Sequence, residues 1–190
     1  MRGLGFILLF GCSFEHGISA PDAPRATTDG ANALQDGTSM DGGGGCTTAG
    51  LACPNPIVID AVSCNGGCWT RCQSLNQITQ AQASAVCAGW GGKLAPIRDA
   101  SDEGCVALVL FPGQSSWSGL EQQNTATQLA QGWTWNGDGV AISYTHWDLG
   151  QPDDANGSEN GAEQCSMLNS FGFWHDVPCG NTLYRFTCRR

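Results

Sequence analysis

The sequence predicts an α+β domain stapled by disulfides, and three observations predict it. Two segments carry helix start and stop signals, six short stretches downstream carry strand and turn signals, and 11 cysteines run through the 190 residues. Two helices followed by short antiparallel strands, with a long loop region between the later ones, make the α+β class.

The first helix is read from Thr79 to Ala88. Thr79 can accept an orphan backbone N–H as N-cap, the body is rich in Ala and Gln, and Gly91-Gly92 stops it. The second is read from Ala100 to Leu110, with Asp99 as cap, Asp102 favouring the first turn, and Pro112-Gly113 as the stop. Strands are then expected at Ser115–Gly119, Trp133–Trp135, Val140–Tyr144, Gln164–Leu168, Gly172–His175 and Tyr184–Arg189.

Ahead of the helices the chain has three sections. Residues 1–12 read as a lipoprotein-type signal peptide: Arg2 supplies a positive charge, Gly3 to Phe10 is apolar, and Leu9-Phe10-Gly11-Cys12 resembles a lipobox, which would leave Cys12 lipidated. An unlipidated signal peptide stands as the alternative. That apolar stretch is too short to span a bilayer, so contact with a membrane is expected only through a lipid anchor. Residues 13–45, rich in Gly, Ala, Asp, Thr and Ser and closing on four glycines, read as a flexible tether with an r.m.s. reach of roughly 30 Å.

Residues 46–67 form a Cys-rich extension to a domain spanning 68–190, with a strand-like run from Pro56 to Val62. The spacing Cys64-x-x-x-Cys68-x-x-x-Cys72 admits a metal reading, but no His accompanies it, and the export signal points to an oxidising compartment. Disulfides are therefore expected, with connectivity open.

Seventeen acidic against eight basic residues give a net charge of −9, with Lys93 the single lysine. That balance argues against nucleic acid and against anionic bilayers as partners. The acid is concentrated. Between Asp148 and Asp176 lie Asp148, Asp153, Asp154, Glu159, Glu163 and Asp176, with no Lys or Arg among them. Carboxylates crowded in that way repel unless a cation joins them, and oxygen donors on a Gly- and Asn-rich loop suit Ca²⁺.

Trp147, Gly150, Pro152, Cys165, Trp174, Asp176, Cys179 and Cys188 fall in an order that resembles the second half of a C-type lectin domain. Cys87, Gly91-Gly92-Lys93-Leu94-Ala95, Trp117-Ser118-Gly119-Leu120 and Gly132-Trp133-Thr134-Trp135 resemble its first half. The resemblance covers Cys68 to Arg190 and implies the C-type lectin-like fold. It pairs Cys87 with Cys188 and Cys165 with Cys179, and assigns Trp117, Trp133, Trp135 and Trp147 to packing, leaving Trp69 and Trp90 unplaced. A further N-terminal bridge joining Cys64 or Cys68 to Cys72 would resemble that of long-form members. Cys105 lies outside the usual pattern, so its partner is expected in the N-terminal segment.

The same resemblance names the site. Gln151-Pro152-Asp153, Glu163 ahead of Cys165, and His175-Asp176 after Trp174 stand where calcium-dependent members carry the ligands of a calcium ion and of a sugar. It also implies a cis bond before Pro152. The order Gln-Pro-Asp is the one associated with galactose-type sugars, since exchanging acid and amide ends exchanges donors and acceptors. Three departures stand out: His175 takes the place of an Asn, exchanging oxygen for an imidazole that zinc or copper accepts; no aromatic follows the triplet; and Gln122 and Ala126 replace carboxylates of an auxiliary site, leaving Asp154. The long loop also lets Glu159 substitute for or supplement Glu163. With His175 as a ligand, binding is expected to weaken below roughly pH 6.5.

The implied function is calcium-dependent glycan binding by an exported lipoprotein of a bacterial surface or envelope, serving recognition or adhesion. A calcium-independent lectin-like module with a protein partner is the alternative. Catalysis is not expected. His146, His175 and Asp176 lack a nucleophile elbow, and nothing positions Glu163 and Asp176 as a glycosidase pair.

Overall fold

In the computed structural model, residues 45–53 and 61–190 are described. The signal segment with Cys12, nearly all of the tether, and most of the Pro56–Val62 run lie outside the described residues. The strands are β1 (Val62–Cys64), β2 (Gly67–Ile78), β3 (Lys93–Leu94), β4 (Ser116–Gln122), β5 (Trp133–Trp135), β6 (Cys165–Leu168), β7 (Trp174–Val177) and β8 (Leu183–Arg189). The helices are α1 (Gln80–Gly89) and α2 (Ala100–Val109).

Both helices start where capping chemistry dictates. Thr79 Oγ1 accepts from Gln82 N at 3.3 Å while Gln82 Oε1 accepts from Thr79 N at 2.9 Å, a reciprocal capping box. Asp99 accepts from Ser101 N and Asp102 N, each at 2.8 Å. Gly91, at φ +82°, turns the chain out of α1, a conformation that side chains resist. Buried Gln80 then docks α1 on β4, donating to Ser118 O at 2.8 Å and Leu120 O at 3.0 Å.

The sheet runs β1-β2-β8-β4-β6-β7, with β3 on β8 and β5 on β4. Neighbouring strands pair antiparallel except β4 with β8, which meet in parallel at Trp117 and Phe186. The pairing of β4 with β6 shifts register between Trp117 and Glu121, the stretch that contains Gly119. A Cβ there would lie 2.5 Å from Leu94 O, so only glycine lets β3 come so close.

The core divides into two clusters. One packs Trp117, Phe186 and Leu94 between α1 and the sheet centre. The other gathers Trp69, Trp133, Trp135 and Trp174 with α2. Trp174, fully buried, meets Trp135 and Trp147 edge-on at 5.4 and 5.5 Å. Burying each such ring removes roughly 150–250 Å² from water, on the order of 4–6 kcal/mol before the entropy of ordering. Trp69 and Trp90, unplaced by motif, are core residues too.

Five disulfides staple the described chain: Cys46–Cys68, Cys53–Cys72, Cys64–Cys105, Cys87–Cys188 and Cys165–Cys179. The last two are the pairs the resemblance implies, and Cys105 does find its partner in the N-terminal segment. The suggested bridge from Cys64 or Cys68 to Cys72 is corrected. Cys68 and Cys72 both lie on β2, four residues apart, about 13 Å along a strand and beyond disulfide reach.

A second correction concerns Val140–Tyr144, which forms no strand and makes a single bridge from Ala141 to Thr134. Gly137 and Gly139, both at positive φ, curl the chain there, and Val140 is exposed. Among the described residues no helix is long and apolar enough to cross a membrane.

Candidate functional site

The carboxylates that sequence gathers on one loop are sorted by the fold into three jobs. β7 alternates, so Trp174 and Asp176 are buried while His175 lies partly exposed between them. Asp176, inward and 4% exposed, accepts from the backbone N–H groups of Asp153 and Asp154, the latter at 2.8 Å. The Gln151–Pro152 bond is cis, and Gln151 bridges the two sides of the site. Its Oε1 accepts from Asp176 N at 3.2 Å, and its Nε2 donates to Asp153 Oδ1 at 3.0 Å.

The first group is Asp153, Glu163 and Asp176, each with one carboxylate oxygen within 4.8 Å of the others. Burial first, then the charge of Asp176, raises Glu163 above the usual carboxylate range. Asp176 is raised as well, by burial first and by the charge of Asp153, against backbone hydrogen bonds that pull it down. Among the described residues no Lys or Arg forms an ion pair with these carboxylates. Three carboxylates and the Gln151 amide make an all-oxygen donor set, which fits Ca²⁺.

Asp154 does the second job. It is 1% exposed and accepts from the backbone N–H groups of Glu163 at 2.6 Å, of Gly161 at 3.0 Å, and of Asn160. It ties the long loop to itself. Glu159, expected as a substitute for Glu163, accepts from Gln122 Nε2 at 2.8 Å and stands outside the triad.

The third job belongs to Asp148. His175 Nε2 lies 2.8 Å from Asp148 Oδ2, and Asn169 Nδ2 donates to the same oxygen at 2.8 Å. The His175 hydrogen bond chiefly, with the Leu149 N–H, holds the Asp148 carboxyl below its usual range. The structure thus joins Gln151, Asp153, Glu163 and Asp176, and spends the His175 imidazole on Asp148. Sequence reasoning missed this Asp148–His175–Asn169 knot and the Asp154 staple. A signal for the staple exists: an Asp followed by Asn, Gly and Ser marks a turn whose N–H groups need an acceptor.

His146 and Asp176 share no contact; His146 Nδ1 lies against Glu103.

The family model for the lectin C-type domain matches residues 76–190. C-type lectin domain family 4 member G of Mus musculus is 30% identical over 117 residues, covering 62% of this chain and 37% of the relative. The chain therefore spans well under half of that relative's length. Among solved structures, the mouse scavenger receptor C-type lectin carbohydrate-recognition domain superposes with a TM-score of 0.56 at 23% identity, covering 68% of this chain and 94% of that one. A calcium-independent type II antifreeze protein superposes with a TM-score of 0.53 at 21% identity, covering 70% and 95%. At such identities the two superpositions speak for the fold alone.

Proposed function

The chain belongs to the C-type lectin domain family, a family of non-enzymatic binding proteins, and from that premise we propose that it binds a glycan through calcium held by Gln151, Asp153, Glu163 and Asp176. The observation that carries this reading is the uncompensated triad, three carboxylates within 4.8 Å of one another. A bound Ca²⁺ would offer open coordination positions to vicinal sugar hydroxyls. Gln151 and Asp153 would meet those hydroxyls with an amide and a carboxylate, an order of donors and acceptors that supports a galactose-type sugar.

His175 serves in this reading as a buttress, orienting Asp148 and the turn at Leu149 just before the triplet. A calcium-independent module with a protein partner is the second reading. The withdrawal of the imidazole from the carboxylates favours it, because that position then supplies no ligand.

Display follows from the chain's first part. We place a lipidated Cys12 and a tether over residues 13–45 ahead of the extension and the domain, so that the site faces glycans of neighbouring cells or surrounding polysaccharide from a bacterial surface. Clustering on a membrane would offset weak single-site affinity through effective concentration. Loss of radiolabelled palmitate incorporation in Cys12→Ala tests the anchor.

Calorimetric titration of the oxidised protein with calcium, alone and with galactose or mannose, tests the site. Saturable binding that galactose tightens more than mannose supports the proposal; no binding at millimolar calcium turns it to the second reading.

A further inference from the structure

Six of the basic residues are in the described part of the chain, and four of them, Lys93, Arg98, Arg189 and Arg190, line one open groove. Its volume is about 420 Å³, and Gly91, Gly92 and Pro96 complete its wall. None of these residues belongs to the carboxylate triad. On a chain of net charge −9 such a concentration of cations is not a random scatter.

The register sharpens the point. Lys93 on β3 lies directly opposite Arg189 on β8, and like charges so paired repel. Two carboxylates answer the four cations. Asp102 takes Arg189 at 3.0 Å, and Asp138 takes Arg98 at a loose 3.5 Å. Lys93 has no partner among the described residues, and Asp99, beside Arg98, is spent capping α2. A positive surplus remains in the groove.

Both terminal arginines are held in place before any ligand arrives. The Arg189 guanidinium lies over Trp69 at 4.8 Å, and that of Arg190 over Trp90 at 4.4 Å. Arg189 Nη2 donates to Asn65 O, and Arg190 Nη1 and Nη2 donate to Trp90 O and Thr47 O. A guanidinium has five N–H donors, so each arginine keeps donors in a fixed plane suited to sulfate or carboxylate oxygens. This gives a purpose to Trp69 and Trp90, the two tryptophans the family motif leaves unplaced.

We propose that this groove binds a segment of anionic polysaccharide, recognised through its sulfate or uronate groups and without calcium. Five disulfides place the domain in an oxidising compartment, where acidic glycans rather than nucleic acids are the common polyanions. A planar anionic membrane would meet the field of the whole acidic chain, whereas a single strand lying in the groove meets the local cations.

The test titrates the full oxidised chain, in chelator, with a sulfated heparin-derived hexasaccharide, with its desulfated uronate-bearing counterpart, and with phosphatidylserine vesicles. The expected result is saturable hexasaccharide binding that weakens with salt and falls about tenfold or more in Lys93→Glu and in Arg98→Glu, both exposed positions. The control Arg185→Gln, whose side chain packs on Phe111 outside the groove, keeps wild-type affinity. Which of the two oligosaccharides binds more tightly identifies the charged group read. No binding of either at low salt, equal affinity in all three variants, or vesicle binding in place of oligosaccharide binding overturns the proposal. Calcium titration of Lys93→Glu keeps the outcome separate from the triad, because its isotherm is expected to match wild type whatever the groove does.

Discussion

Asp154 Oδ1 accepts the Glu163 backbone N–H at 2.6 Å, so the carboxylate beside the triplet sets the position of the residue that supplies the third carboxylate. Asp154 N in turn donates to Asp176. One short segment therefore links all three members of the triad, reaching Asp176 through its main-chain N–H groups and Glu163 through the Asp154 side chain, and the loop's order and the site's geometry are one property.

Asp154→Ala is expected to cost both. It orphans the N–H groups of Asn160 and Glu163, leaves that of Gly161 only Glu159 Oε1 as acceptor, and a buried donor left unmet costs about 1–3 kcal/mol, less where water enters the opened loop. Thermal unfolding should show a loss of at least about 1 kcal/mol, and calorimetry a calcium affinity down about tenfold. Asp154→Asn keeps a carbonyl acceptor and should lose less. Equal calcium affinity in all three proteins would detach the loop from the site.

The raised carboxyls of Glu163 and Asp176 fix the sign of a pH effect. Between the ordinary carboxylate range, about 4, and their higher folded values, the folded state holds protons that the unfolded chain gives up. Calcium-free stability from these two groups is thus present at low pH and lost as pH rises through the folded values. Calcium needs the deprotonated forms, so the melting-temperature gain it brings should grow from acid to neutral pH. A gain independent of pH across that window would mean calcium binds elsewhere.

His175→Asn separates the buttress from the ligand. With the imidazole on Asp148, the variant's calcium isotherm is expected to match wild type, while the Asp148 carboxyl, relieved of its main hydrogen bond, should titrate higher by carboxyl-detected NMR. Tighter or weaker calcium binding in the variant would return position 175 to the ligand set.

Much of this architecture is local chemistry, and local chemistry reads well. Thr79 and Asp99 cap within three residues, the Gly91 turn follows at once, and the Trp-, Gly- and Cys-bearing motifs place α1, α2 and most strands to within a few residues. Asp153, Glu163 and Asp176 could be named in advance because the motif fixes their spacing to Cys165 and Trp174. What escaped is pairwise and distant. Cys64 with Cys105 spans 41 residues and His175 with Asp148 spans 27, and neither residue of a pair carries a mark of the other. The 12-residue β2 hid behind its cysteines, although Thr70, Cys72 and Ser74 already alternate as a half-buried strand does. Val140–Tyr144 failed in the opposite sense, having strand composition with no neighbour to pair with beyond one bridge.

Tyr144 gives a test of that misread segment. Its hydroxyl donates to Glu103 on α2, and burial first, then that hydrogen bond and the charges of Glu103 and Asp99, push the phenol up to about 12. An unfolded tyrosine titrates near 10. Between about 10 and 12 the folded state keeps a proton that the unfolded chain loses, so the stability this contact contributes is fully present below pH ~10 and lost as pH climbs toward 12. The near-ultraviolet phenolate signal of the folded protein should therefore show a phase near pH 12 that disappears in Tyr144→Phe. The variant should also lose less stability than wild type over that alkaline window. Wild-type phenolate formation complete by about pH 10 would mean that the 140–144 segment is not docked on α2, since burial there and the Glu103 and Asp99 carboxylates are what delay the proton's departure.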